Sequence, residues 1–208
     1  MADGKARRLT IIAFSLFSLL LGACSSVKDT SRSFTKVVVD AGHGGHDNGA
    51  TTRYGGREKS LALDVARRIV PKLQAMGFET LMTRDDDRFI PLDTRAQISN
   101  SQSNVIFVSI HFNYSPKSWA NGAEVYYNSR CSIGIARNIL NQVCAIPGVA
   151  SRGVRSANFR VLKRARYPAV LVECGFLTNK GEGRRCAGSS HREALAKAIA
   201  QGIWEQKH

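Results

Sequence analysis

Residues 37–50 have the sequence VVVDAGHGGHDNGA, and this stretch decides the fold. The three β-branched valines at its start predict a buried strand. The glycine-rich run after them predicts a loop whose backbone can adopt positive φ and approach a ligand closely. His43 lies in that loop, just past the strand, and functional groups gather at the carboxyl ends of strands in open α/β sheets. It is therefore a candidate functional residue, although an imidazole that only orders its loop explains the residue equally well.

Strands and helices alternate along the rest of the chain. Apolar spacing predicts helices over residues 60–76, 93–99 and 133–144, and a last helix that contains Leu195, Ile199 and Ile203. Apolar runs predict strands at 78–83, 104–110, 124–127 and 169–172. Because several of these strands are apolar on both faces, we expect a single α/β domain with a mainly parallel, twisted sheet and helices on both faces.

The first 23 residues have the features of a lipoprotein signal peptide. A basic start at Lys5, Arg7 and Arg8 precedes an apolar run too short to span a bilayer comfortably. The leader ends in Leu21-Gly22-Ala23-Cys24, which resembles a bacterial lipobox with Cys24 as the lipidated residue. An ordinary signal peptide cut nearby, or an uncleaved anchor, is the alternative. We therefore expect a signal peptide at 1–23, a tether at 24–34 and a folded domain at 35–208.

By resemblance to lipoproteins of two-membrane bacteria, Ser25 after Cys24 favours the outer membrane, facing the periplasm.

The 208-residue chain has a formal charge of +14. Removal of the leader, which has three basic residues and one acid, leaves the mature chain with +12. Such a balance favours polyanionic partners. No aromatic stacking platform or DNA-reading motif accompanies the charge, so acidic cell wall or an anionic membrane surface fits better than nucleic acid. One run of basic residues either forms the surface that binds such a partner or is a solvated loop. It consists of Arg152, Arg155, Arg160, Lys163, Arg164 and Arg166.

Four cysteines remain for the domain, in a compartment that permits disulfides. On one helix, Cys131 and Cys144 would be roughly 20 Å apart, which is too far to pair. Cys174 and Cys186 are the local pair that the sequence allows.

Polar groups follow three of the predicted strands, namely His43, His111 and Glu173, and should meet at one edge of the sheet. Glu58 joins them from the start of the first helix, unless it only stabilises the helix dipole. Two imidazoles and a carboxylate are a ligand set of catalytic Zn²⁺, which lowers the pKa of water to about 7. Glu173 suits the base that takes the proton of the attacking water, and a structural ion pair with an arginine is its alternative role.

These residues resemble the zinc-dependent N-acetylmuramoyl-L-alanine amidases of the amidase 3 type. The resemblance covers roughly residues 35–207 and rests on five segments: DAGHGG at 40–45, Glu58, SIHFN at 109–113, NGAEVYY at 121–127 and PAVLVECGFLTN at 168–179. It implies that His43, Glu58 and His111 bind Zn²⁺ and that Glu173 is the catalytic carboxylate. It further implies cleavage between N-acetylmuramic acid and the L-alanine of the peptidoglycan stem peptide, in wall remodelling or daughter-cell separation.

Several points stay outside the resemblance. His46 is expected to have a supporting or solvent-exposed role and is not carried over as a ligand. Some periplasmic relatives carry a helical insertion that plugs the site, but here only 61 residues separate His111 from Glu173. We therefore expect activity without an activating protein.

Two other functions compete with the amidase function. They are a zinc peptidase that cuts elsewhere in the stem peptide and a non-catalytic wall-binding lipoprotein.

Overall fold

The structure, a computed structural model, describes residues 27–208. The predicted signal peptide and the predicted lipidation site Cys24 lie outside the described residues. Within residues 27–208, no helix combines the length and apolar character needed to cross a membrane.

The chain alternates between strands and helices, as the apolar pattern predicts. The strands are β1 (Lys36–Ala41), β2 (Thr51–Thr52), β3 (Gly56–Arg57), β4 (Glu79–Met82), β5 (Val105–Asn113), β6 (Ala123–Tyr127), β7 (Ser151–Ser156) and β8 (Ala169–Phe176). The helices are α1 (Glu58–Ala75), α2 (Leu92–Asn100), α3 (Ile133–Cys144), α4 (Arg160–Arg164), α5 (Lys180–Ala187) and α6 (Ser189–Lys207), with a 3-10 turn at Arg130–Ser132.

Six strands form the main sheet in the order β4-β1-β5-β8-β6-β7. The first four are parallel, whereas β6 runs antiparallel to β8 and β7 runs parallel to β6. One face of the sheet packs against α1, α3 and α6, and the other against α2 and α4. The predicted α/β domain, with a mainly parallel sheet flanked by helices, is confirmed.

The central strands form where the residues that point to both faces of the sheet are apolar. Val37 and Val39 pack into the larger core with α1 and α6, while Val38 faces the smaller core under α2 and α4. The apolar stripe of α1 buries Val65, Ile69 and Leu73 against the same sheet. Burial on both faces is what a central strand of a parallel sheet requires.

Two predicted strand ends are wrong, and both concern the site. β5 continues to Asn113, so His111 lies inside the strand rather than after it. β8 likewise continues through Glu173 to Phe176. Polar residues interrupt the apolar run at both places, but the backbone pairing of the two strands continues and sets His111 opposite Glu173.

Part of the predicted tether packs against the domain. Thr30 donates a hydrogen bond from Oγ1 to the carbonyl of Val105 at 2.6 Å, and the Lys28 amide donates to the carbonyl of Arg166. Phe34 is fully buried and stacks on Phe78. Residues 28–34, which the sequence assigns to the tether, therefore contact the domain at the amino ends of β5 and β8.

The predicted pair of Cys174 with Cys186 is wrong, because all four described cysteines are free thiols. Cys174 and Cys186 are buried in the larger core, where they pack as small apolar groups.

Candidate active site

Three elements bring two imidazoles and a carboxylate together at the carboxyl edge of the sheet. His43 lies in the loop after β1, Glu58 is the first residue of α1, and His111 lies near the end of β5. One nitrogen or oxygen from each residue falls within 4.8 Å of the others. These are the residues that the sequence predicts as metal ligands, and the fold places them side by side.

Glu58 is the centre of this cluster. Its Oε1 lies 3.0 Å from Nε2 of His43 and 2.9 Å from Nδ1 of His111, and it also accepts a hydrogen bond from the amide of Phe112. Its Oε2 accepts from the amide of Ala50 at 2.8 Å. The carboxylate thus contacts the two imidazoles, one loop amide and one strand amide. A role limited to the dipole of α1 does not account for these contacts.

His43 is held from its other ring nitrogen by Asp47, whose Oδ2 lies 2.8 Å from Nδ1. Burial alone would lower the pKa of His43, but Glu58 and then Asp47 outweigh it and raise the pKa to about 9. A carboxylate on the second nitrogen of an imidazole fixes its orientation, as in many metal-ligating histidines. Asp47 is therefore a positioning residue for the imidazole.

Two buried arginines fix the backbone of the His43 loop. Arg95 donates to the carbonyls of Ala41 and His43 at 2.6 Å, and Arg84 donates to the carbonyls of Ala41 and Gly42. Asp40 balances this charge through a 2.8 Å ion pair with Arg95. His43 has a φ of 59°, a left-handed conformation that is uncommon for a residue with a side chain. The network therefore holds a ligand in a backbone geometry that the loop alone would not favour.

Glu173 faces the cluster from β8. Its Oε2 is buried and has no hydrogen-bond partner within residues 27–208, and it forms no ion pair with an arginine there. Burial raises the pKa of Glu173 to about 7, with Glu58 and Glu124 adding to the rise and His111 opposing it. A buried, unpartnered carboxylate oxygen is costly. Its position beside two imidazoles and Glu58 fits a site completed by a cation and by water or substrate.

A cavity of about 580 Å³ opens beside these residues. Polar groups of the cluster line it, including His43, Glu58 and Glu173. The lining also contains a set of apolar side chains: Phe89, Ile90, Leu92, Phe159 and Val161. The cavity is large enough for a sugar or a short peptide.

His46 lies outside the cluster, and its ring packs against Phe89 at a centroid distance of 4.1 Å. Asp47, Arg95 and Glu124 are parts of the site that were not predicted from the sequence. Asp47 carried a weak signal, since it is four residues after His43 in the same loop. Arg95 carried none, because only the folded packing brings it to the site, and Glu124 was marked only as part of the NGAEVYY segment at 121–127.

The sequence matches the family described as N-acetylmuramoyl-L-alanine amidase over residues 37–205. The chain is 34% identical over 170 residues to N-acetylmuramoyl-L-alanine amidase LytC of Bacillus subtilis (strain 168), a match that covers 80% of this chain and 34% of LytC. It thus spans about a third of that relative.

Solved structures agree with this. The N-acetylmuramoyl-L-alanine amidase AmiC2 of Nostoc punctiforme superposes with a TM-score of 0.79 at 35% identity, covering 82% of this chain and 95% of that one. The catalytic domain of CwlV, an N-acetylmuramoyl-L-alanine amidase from Bacillus (Paenibacillus) polymyxa var. colistinus, gives 0.78 at 34% identity, with 83% and 97% covered.

Proposed function

Because this chain belongs to the amidase 3 family of N-acetylmuramoyl-L-alanine amidases, we propose that it cleaves the amide between N-acetylmuramic acid and the L-alanine of the peptidoglycan stem peptide. The family predicted from the motifs is thereby confirmed. The observation that carries the reaction is the buried Glu173 carboxylate, with its unpartnered Oε2, beside the His43, Glu58 and His111 cluster.

The proposed cofactor is one Zn²⁺ held by His43, Glu58 and His111. Two imidazoles and one carboxylate match a common ligand set of catalytic zinc, which leaves a position for water or substrate. When bound, the ion supplies Lewis acidity to the amide carbonyl and lowers the pKa of water. Asp47 keeps the His43 ring oriented, and Arg84 and Arg95 keep its backbone in place.

Glu173 is proposed to move the protons. It removes a proton from the attacking water and delivers it to the nitrogen of the leaving L-alanine, so that the C–N bond breaks and the amine departs uncharged. The lactyl group is left as a carboxylic acid, which ionises at neutral pH and gives the second proton of the water to the released amine or to solvent. In the metal-free fold, burial raises the pKa of Glu173 to about 7, so that the group can gain and lose a proton near neutral pH, as both halves of this task require.

Digestion of purified peptidoglycan with the zinc-loaded enzyme tests the proposal. We expect new L-alanine amino termini and free lactyl carboxylates on muramic acid, loss of both on chelation, and recovery on Zn²⁺ addition. New termini within the stem peptide would instead identify a peptidase. Binding of wall without any new terminus would identify a non-catalytic wall protein.

We also propose that the protein is lipid-anchored through Cys24 in the periplasm, on the outer membrane, and acts in wall remodelling or daughter-cell separation. The lipobox-like ending of the leader supports this. The N-terminal segment also reaches the domain at the amino ends of the strands, opposite the catalytic edge, so an anchor there would leave the site open toward the wall. Mass spectrometry of the mature N-terminal peptide tests it, and an unacylated terminus from cells would refute it.

A further inference from the structure

A second charged group lies next to Glu173 and has no part in the proposed reaction. Glu124 of β6 is the register partner of Glu173 on β8, and only 3% of its surface is exposed. Its Oε1 accepts a hydrogen bond from Nδ2 of Asn113 at 2.7 Å, and Asn113 also lines the catalytic cavity. Glu124 is thus connected directly to the wall of the site.

Two arginines converge on the other oxygen of this carboxylate. The Nε atoms of Arg152 and Arg155 each lie 3.4 Å from Oε2 of Glu124. These contacts are long and each uses a single Nε donor, whereas a guanidinium offers five donors in a planar fork. The side chain of Arg155 is 55% exposed and that of Arg152 is 33% exposed. Nη2 of Arg155 also donates to the carbonyl of Arg152 at 3.2 Å, and the guanidinium of Arg152 lies over the ring of Phe176. Two cations on one buried carboxylate leave an excess positive charge next to Glu124, which Asn113 links to the cavity.

The position of this charge relative to the cleaved bond is set by the sheet. β6 separates β8 from β7, so the backbones that carry Glu173 and Arg155 are about 10 Å apart. Arg155 extends back across β6 toward Glu124 and shortens this gap. Two residues of an extended peptide span roughly 7 Å. A peptide whose amide lies at Glu173 therefore brings the acidic group of its second residue to the guanidinium of Arg155.

We propose that Arg155, supported by Arg152 and Glu124, forms a carboxylate subsite for the stem peptide, specific for the free acid of its second residue. This inference rests on the proposed function, because it takes the peptide side of the muramoyl bond to leave the site over β6 and β7. The apolar residues that line the cavity, Phe89 and Phe159 among them, then remain for the muramoyl part. Glu124 holds the two guanidiniums in place without neutralising both.

The test compares two disaccharide tripeptides that differ in one group. One carries D-isoglutamate at the second position, with a free carboxylate, and the other carries D-isoglutamine, with an amide. The full chain, loaded with Zn²⁺ in detergent, is assayed for kcat/KM on each. We expect the acid to be preferred about tenfold, the size of one charge-assisted hydrogen-bonded contact at a half-exposed site.

Arg155→Gln should bring the acid-to-amide ratio close to one, and Arg155→Lys should retain part of the preference. Arg184→Gln, the same charge change at an exposed position of α5, is the matched control and should leave the ratio unchanged. An arginine that only neutralised Glu124 would lower kcat/KM for both substrates in the same proportion, with the ratio constant.

The possible outcomes separate the two proposals. Cleavage of neither tripeptide counts against the amidase function itself. Cleavage of both with a ratio near one in the wild type, or a ratio that Arg155→Gln does not change, leaves the amidase function intact and refutes the subsite.

Discussion

Glu58 is a buried carboxylate and Glu173 a half-buried one with a buried Oε2, yet their surroundings shift their pKa values in opposite directions. Burial opposes the charge of each, but the imidazoles of His111 and His43 hydrogen-bond to Glu58 and hold its pKa well below the usual range. Glu173 has no such partner, and burial raises its pKa to about 7. Such a divergence assigns different tasks to two similar groups. Glu58 stays ionised as a ligand, while Glu173 can carry a proton.

The substitution Glu173→Gln separates these tasks. It keeps the shape of the side chain but removes the base, so turnover on purified wall should fall by about 10² to 10⁴ while metal content after dialysis is unchanged. Glu193→Gln makes the same chemical change at an exposed position of α6 and should leave activity intact. Wall hydrolysis by the Glu173→Gln variant at the wild-type rate would remove Glu173 from the mechanism.

Metal binding should release protons near neutral pH. In the metal-free fold, Glu58 and Asp47 raise the pKa of His43 to about 9 against the effect of burial, and the pKa of His111 is also raised. Raised histidine pKa values stabilise the metal-free fold below pH 6.5, and this contribution is lost as the pH rises through about 9. Zn²⁺ needs the neutral imidazole, so binding near pH 7 displaces at least about one proton.

Titration calorimetry in buffers of different ionisation enthalpy counts these protons. The protons that come from the imidazoles should disappear above about pH 9, where the metal-free His43 is already neutral, so that only ionisation of metal-bound water still contributes. Equal heats in all buffers near pH 7 would show that His43 is neutral before the metal arrives.

At the scale of the elements, the loop between β1 and α1 depends on a glycine packed against a ligand. A Cβ atom at Gly42 would lie 2.3 Å from Cε1 of His111, a distance that forces the imidazole to move. This explains why the strand end is followed by glycine. The requirement comes from a residue almost seventy positions later, on a neighbouring strand.

Gly42→Ala should therefore weaken metal binding by about 10- to 100-fold, the range seen when the orientation of a ligand is disturbed. Competition with a chromophoric chelator measures the loss, and circular dichroism checks the fold. Gly181→Ala is the matched control, because its nearest neighbour, Oδ1 of Asn179, would lie at 3.6 Å. A Gly42→Ala variant that binds metal as tightly as the wild type would contradict the packing argument.

The elements also show what the sequence could predict. β1, β5 and β8 were predictable because apolar residues occupy both faces of buried parallel strands, and the polar residue at the end of each run marked the catalytic edge. β7 (Ser151–Ser156) was missed because an edge strand carries little apolar signal, and its sequence SRGVRS has polar residues on both faces. The contacts of Arg155 with Glu124 could not be predicted either, since they depend on that strand pairing beside β6.

At the scale of the whole molecule, the two ends of the sheet are used differently. The carboxyl ends of β1, β5 and β8 hold the site, whereas the N-terminal segment packs at the amino ends through Thr30, Lys28 and Phe34. The chain between His111 and Glu173 forms β6, a 3-10 turn, α3, β7 and α4. Of these, α4 lines the cavity through Arg160 and Val161, and the cavity stays open beside His43.

The open cavity leads to the last prediction, that residues 27–208 hydrolyse purified wall at the rate of the full chain in detergent, with no activating protein. The boundary matters because a chain starting at residue 35 loses the stacking of Phe34 on Phe78, and truncating a buried phenylalanine typically costs about 3 to 5 kcal/mol of stability. The shorter chain should therefore unfold at a lower temperature, yet its catalytic edge is unchanged. Turnover assays and thermal melts of both chains, with and without periplasmic extract, check this. A metal-loaded 27–208 chain that hydrolyses wall only after extract is added would show that activation controls the site, and equal melting temperatures would refute the packing of residues 28–34.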